Sequence, residues 1–143
     1  MRFKLILEVN KRAFGGMLPI NYQYEQSAAI YKILSGADEA YASWLHDNGF
    51  RLESGKTFKL FVYSRFKIEN FRILRDTERL QIFSDTVEWQ VGFLPEKSTE
   101  KFIQGVFQDQ VFEIGDTKSV VQFIVRSVEV MPEPDYSERM VFA

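Results

Sequence analysis

The 143-residue chain contains no cysteine and a single histidine, His46. The missing cysteine excludes disulfide frameworks, thiol nucleophiles, thioredoxin-like motifs and cysteine-based zinc sites. One imidazole excludes histidine clusters and any two-histidine acid/base pair within these residues. Prolines number 4 and glycines 8, without Gly/Ser tracts, repeats or low-complexity stretches, so one domain is expected over residues 1–131. Residues 132–143, which open on Pro132-Glu133-Pro134-Asp135, read as a linker or the beginning of something further. No run approaches the ~18 apolar residues of a membrane span. Lys4 and Glu8 interrupt the first apolar stretch and no small-residue cleavage site follows it, so no signal peptide and a cytoplasmic location are expected.

Hydrophobic residues make up 45%, aromatics 15% and charged residues 27%, enough apolar material for a real core. The net charge of −2 conceals an asymmetry. Residues 1–70 carry ten Lys/Arg against seven Asp/Glu, and residues 71–143 carry eight against thirteen, so the front half is net +3 and the back half net −5.

Phe3, Leu5, Leu7 and Val9 alternate with polar partners, the period of a half-buried strand. Gly15-Gly16 and Pro19 read as a loop. From about Glu25 an apolar stripe of Ala28, Ala29, Tyr31, Ile33 and Leu34 predicts a helix stopping at Ser35-Gly36. Asp38 caps a second helix to about Asn48, with Ala42, Leu45 and either Tyr41 or Trp44 inward and Gly49 closing it. After a turn at Glu53-Ser54-Gly55, Phe58 to Tyr63 reads as a strand continuing towards Ile68. Phe71 to Leu74 and Leu80 to Phe83 form a hairpin, and Val87, Trp89, Val91 and Phe93 alternate in the next strand. Pro95 opens a helix whose inner face is Phe102, Ile103, Val106 and Phe107. Val111 to Ile114 and Val120 to Val130 complete the strands.

The order is βαββαβ with an extra β-hairpin, predicting an α+β ferredoxin-like domain, an antiparallel sheet with its helices on one face. Many unrelated proteins share that fold, RNA-recognition-motif domains among them, so it names no function. Lys59-Leu60-Phe61-Val62-Tyr63 has the flavour of that motif's central strand but lacks its glycine.

Several segments together resemble one family. Met1-Arg2-Phe3-Lys4-Leu5, Leu18-Pro19-Ile20-Asn21-Tyr22-Gln23-Tyr24, Ala29-Ile30-Tyr31, Leu45-His46 and Lys59-Leu60-Phe61-Val62-Tyr63-Ser64 follow in the order and spacing of the CRISPR-associated endoribonucleases that process precursor CRISPR RNA, the sixth Cas family. The resemblance implies metal-independent cleavage within repeats by the RNA's own 2′-hydroxyl, leaving a 2′,3′-cyclic phosphate and a 5′-hydroxyl, with no cofactor. Members with the best-known site use a tyrosine in the first helix, a histidine just after it and a lysine before the next strand. The matching residues are Tyr31, His46 and Lys59, with Lys56 a rival because the stretch between histidine and lysine is longer here. The implied partners are CRISPR repeat RNA and other CRISPR-associated proteins of an interference complex, without a membrane, and a homodimer is left open. Family members carry two tandem ferredoxin-like domains, so this chain resembles the first half.

The chemistry suits those residue types. In-line attack by a 2′-hydroxyl needs a base, an acid for the departing 5′-oxygen, and positive charge or donors for the phosphate oxygens. Histidine, ordinarily near ~6.5, serves as acid or base, lysine supplies fixed charge, and tyrosine near ~10 is a poor base that positions or donates instead. The base and acid assignments between Tyr31 and His46 stay open. Taken singly, each residue has a plainer reading: a surface or capping histidine, a core tyrosine, a lysine facing out from an edge strand. Lys4, Lys11, Arg12, Arg65 and Lys67 are cations that either track phosphates or solvate a surface. Two other classes stand beside the nuclease: a non-catalytic CRISPR RNA-binding module and a small metabolite-binding regulatory domain.

Overall fold

The computed structural model describes residues 1–48, 50–51, 57–58, 61–94 and 96–132. Strand β1 (Arg2–Val9) leads into a single helical turn, α1 (Lys11–Phe14), and a short strand, β2 (Met17–Pro19). Helices α2 (Gln23–Ala37) and α3 (Glu39–Asn48) follow, then the two-residue strands β3 (Phe50–Arg51) and β4 (Thr57–Phe58) and strand β5 (Phe61–Tyr63). A hairpin of β6 (Phe71–Leu74) and β7 (Arg79–Ile82) turns through a 3₁₀ segment at Arg75–Thr77. Strand β8 (Thr86–Phe93), helix α4 (Glu96–Gln108), β9 (Val111–Gly115) and the long β10 (Val120–Met131) complete the order.

The main sheet is antiparallel, in the order β5-β8-β1-β10-β9. With β9 set aside as an added edge, the four remaining strands have ferredoxin-like topology. The alternation read along β1 is realised: Phe3, Leu5, Leu7 and Val9 are buried, joined from the neighbouring strands by Val87, Trp89, Val91, Phe93, Val121 and Phe123. Helices α2 and α4 cover this face with Ile30, Ile33, Leu34, Phe102 and Val106. They approach very closely at Gly105, where a Cβ would stand 2.0 Å from the Ile33 carbonyl oxygen. No helix among the described residues is long and apolar enough to cross a membrane.

Three expectations need correction. The Gly15-to-Pro19 stretch is more than a loop: β2 pairs with β7, Leu18 opposite Leu80, so the extra hairpin belongs to a separate three-stranded sheet, β2-β7-β6. The strand expected to continue towards Ile68 is interrupted after Tyr63 and meets β8 again as a single bridge, Lys67 opposite Glu88. At the interruption Ser64 O accepts hydrogen bonds from the Trp89 indole and the Gln26 amide, both at 3.1 Å, and Phe66 turns inward to stack on Tyr22 at 5.1 Å between ring centroids. On α4, Phe107 is 76% exposed, because an inner face of Phe102 and Val106 with the half-buried Ile103 already fills the space above the sheet. On α3 the inward residue is Tyr41 rather than Trp44.

Candidate active site

Asp38 connects the fold to the site. It ends α2 and caps α3, its Oδ1 accepting the Tyr41 N–H at 2.9 Å, which satisfies one of the free donors at the start of a helix. The Asp38 carboxyl is held below the ordinary carboxylate range by that backbone hydrogen bond and then by Lys101, 3.3 Å away. The result is a tight helical hairpin. Tyr31 lies seven residues before Asp38 and His46 eight after it, so at a constant rise per residue the two stand at matching heights on facing helices.

Their rings touch edge to face, with centroids 5.1 Å apart and planes at 71°. A similar contact, at 5.2 Å and 78°, seats Tyr31 against Phe61 of β5, whose buried ring packs in turn on Phe93. Tyr31 is therefore wedged between the histidine and the sheet, and burial raises its phenol above the usual tyrosine value. A phenol shifted in that direction stays protonated at neutral pH. His46 is 69% exposed on its side chain, with Nδ1 3.4 Å from Asp47 Oδ1. In that loose contact the imidazole is donor or acceptor according to its tautomer.

Between α2 and α3 opens a groove of about 330 Å³ lined by Tyr31, Lys32, Ser35, Ala42, Ser43, His46 and Asp47. Of the three site residues expected from sequence, two are brought together. Lys59 and its rival Lys56 lie outside the described residues, as do Gly49, the turn at Glu53-Ser54-Gly55, Pro95 and residues 133–143. Lys32, Ser35, Ser43 and Asp47 were not singled out, although helical spacing contains the signal: Ser35 is one turn beyond Tyr31, and Ser43 one turn before His46. Several basic residues offered as phosphate trackers have structural partners instead. Lys4 pairs with Glu129 at 3.2 Å, Lys11 with Asp85 at 3.6 Å, and Arg65 lies 4.8 Å over the Tyr22 ring while donating to Ile20 O. Among the described residues no group of three His, Asp or Glu side chains could hold a metal ion.

Fold and groove together define a ferredoxin-like α+β domain that presents a tyrosine and its only histidine side by side on a helical hairpin. The family model described as "CRISPR-associated protein Cas6, N-terminal" matches residues 17–129, and the chain belongs to the Cas6 family. It is 27% identical over 134 residues to the CRISPR-associated endoribonuclease Cas6 1 of Methanocaldococcus jannaschii, covering 94% of this chain and 46% of that protein. A solved structure described as a CRISPR associated protein Cas6 superposes with a TM-score of 0.63 at 27% identity, over 94% of this chain and 49% of the other. The product of a Cas6-related gene from Pyrococcus furiosus shares the fold at a TM-score of 0.72 and 20% identity, over 94% of this chain and 49% of that one. A RAMP protein described as binding different RNA substrates does so at 0.71 and 22%, over 94% and 50%. The chain thus spans about half the length of these relatives.

Proposed function

We propose that this chain carries the cleavage site of a CRISPR repeat endoribonuclease, acting without a metal through attack of the RNA's own 2′-hydroxyl. The observation that supports it is the contact of Tyr31 and His46 at the wall of an open groove, on a chain belonging to a family whose M. jannaschii member is an endoribonuclease. In this reading His46 Nε2 exchanges the proton at the reacting oxygens, and Asp47 biases the opposite nitrogen. The protonated Tyr31 phenol donates to the RNA, and cations neutralise charge growing on the phosphate oxygens. Lys59, or Lys56 in its place, is proposed as one of these cations. The products are a 2′,3′-cyclic phosphate and a 5′-hydroxyl.

Incubation with repeat RNA in EDTA tests the reading. Cleavage to a cyclic phosphate is expected, slowed at least ~10²-fold by His46→Ala, the usual scale of lost acid/base catalysis. A 2′-deoxy nucleotide at the cut should abolish it while sparing most binding. Cleavage that requires a divalent ion, or persists unchanged in His46→Ala, would overturn the mechanism; salt-sensitive RNA retention without product would support a binding module instead.

A further inference from the structure

The groove between α2 and α3 has a charge balance that depends on one residue. Of its lining side chains, Tyr31 stays neutral because burial raises its phenol, and Asp47 contributes a carboxylate. Lys32 is the one permanent cation among them. Remove it, and the only permanent charge on the walls is negative, which repels a phosphate at any orientation. Geometry points the same way. The Tyr31 and His46 rings already touch, so no phosphate fits between them, and an anion entering the groove must sit at its mouth. Lys32 is exposed there and makes no ion pair among the described residues. Because Lys32 follows Tyr31 on a regular helix, its Cα is fixed relative to that of Tyr31, and its flexible side chain lines the same groove. The Ser35 and Ser43 hydroxyls on the two walls supply neutral donors to the same space.

Resting on the RNA-cleavage reading, we infer that Lys32 is the phosphate-binding cation of this groove, its Nζ holding a backbone phosphate of single-stranded RNA beside His46. The role is separate from that of the lysine preceding β5. Asp47 opposes it, so the groove is tuned by a pair of opposite charges on facing helices, and neutralising either moves affinity in opposite directions.

The single histidine makes the test direct, because the imidazole Cε1–H of His46 gives one NMR resonance at the groove. The probe is a single-stranded RNA methylated at every 2′-hydroxyl, which cannot be cut. Adding it to the full chain should move the His46 resonance to saturation. Lys32→Ala, a good helix former at an exposed position, should require about fivefold more RNA at the same salt, and its salt slope should shrink by about 0.7, the loss of one single-strand phosphate contact. Lys32→Arg should restore the affinity, and Asp47→Asn should tighten it. A Lys32→Ala chain that saturates at the wild-type concentration with the wild-type slope overturns the role of Lys32 while leaving the groove an RNA site. An RNA that never moves the wild-type resonance overturns the groove as an RNA site, and Lys32 with it.

Discussion

Replacing Gly105 by alanine would place a methyl carbon 2.0 Å from the Ile33 carbonyl oxygen and 2.9 Å from both the Ile33 carbonyl carbon and Cγ2. Ordinary contact begins near 3.4 Å, and two of these three atoms are backbone, so no rotamer change relieves the clash. Helices α2 and α4 must separate by about 1.4 Å locally, and overpacking of this kind costs ~1–3 kcal/mol. Alanine recovers ~1 kcal/mol of helix propensity over glycine. With the clash taken at the upper end, because it is backbone to backbone, a net loss of about 2 kcal/mol is expected. Gly36, inside α2, is the matched control. Nothing stands within 4 Å of a Cβ there and no positive φ is involved, so Gly36→Ala should stabilise by up to ~1 kcal/mol. Urea unfolding followed by fluorescence, with Trp89 fully buried as reporter, reads both variants. There is a functional corollary. Ile33 is two residues from Tyr31 on the same helix, so a displacement of that size disturbs the Tyr31–His46 contact, and misplacement of about 1 Å can cost ~10²-fold in rate. A Gly105→Ala chain as stable as wild type would refute the packing argument, and equal effects at both glycines would show that propensity alone governs them.

Tyr31→Phe keeps the ring between His46 and Phe61 but removes the donor; stability should be unchanged while cleavage falls ~10–10²-fold, with the same loss from pH 6 to 8 because the phenol does not ionise in that range. The buried Tyr41 hydroxyl is hydrogen-bonded to Ser98 Oγ, so Tyr41→Phe, which strands that serine, should cost ~1–2 kcal/mol in thermal or urea unfolding, and adding Ser98→Ala should recover much of it. Asp116 is held down to about 2, first by the Ser119 backbone N–H, then by that of Lys118 and by Arg79, whose Nη1 lies 2.8 Å from Oδ2. A depressed carboxyl stabilises the fold fully above its unfolded value near 3.8 and loses that contribution as pH falls through about 2. Asp116→Asn should therefore flatten the acid limb of stability against pH over that window, and an unchanged limb would count against the Arg79–Asp116 tie.

What was legible in the sequence is what short-range periodicity encodes. The alternation from Phe3 to Val9 and the Asp38 cap depend on residues within a turn or a strand of one another, and they read correctly. Strand β2 did not, because Gly15, Gly16 and Pro19 punctuate a three-residue segment whose pairing comes from Leu80, more than sixty positions away. The exposure of Phe107 likewise depends on how wide a face the sheet can cover, which the helical stripe does not state. In the site, Tyr31 reads from periodicity only as one more residue of an apolar helical stripe, and His46 carries no periodic signal at all. The family resemblance singled them out, and the helical hairpin supplies the physical reason that they meet. Lys32 carries no signal in the sequence, because an exposed lysine on a helix looks the same whether it faces bulk water or a groove.

The site is therefore local in sequence and non-local in support. Tyr31 and His46 are fifteen residues apart and meet across one capped turn, so the hairpin alone sets their height. Their depth is set elsewhere: Phe61 of β5 holds the Tyr31 ring, and β5 is an edge strand, paired among the described residues with β8 alone. The distance of α2 from the sheet is set by α4 through the missing side chain at Gly105. A mutation in either support should consequently impair the Tyr31–His46 geometry while every groove residue is still present. Phe61→Ala separates this from simple unfolding. It removes a buried ring, a loss of ~3–5 kcal/mol, but it also frees Tyr31 to leave His46, so activity measured well below the melting transition should fall further than the folded fraction does. Activity that merely tracks the folded fraction would mean that the hairpin positions the pair unaided and that β5 contributes stability only.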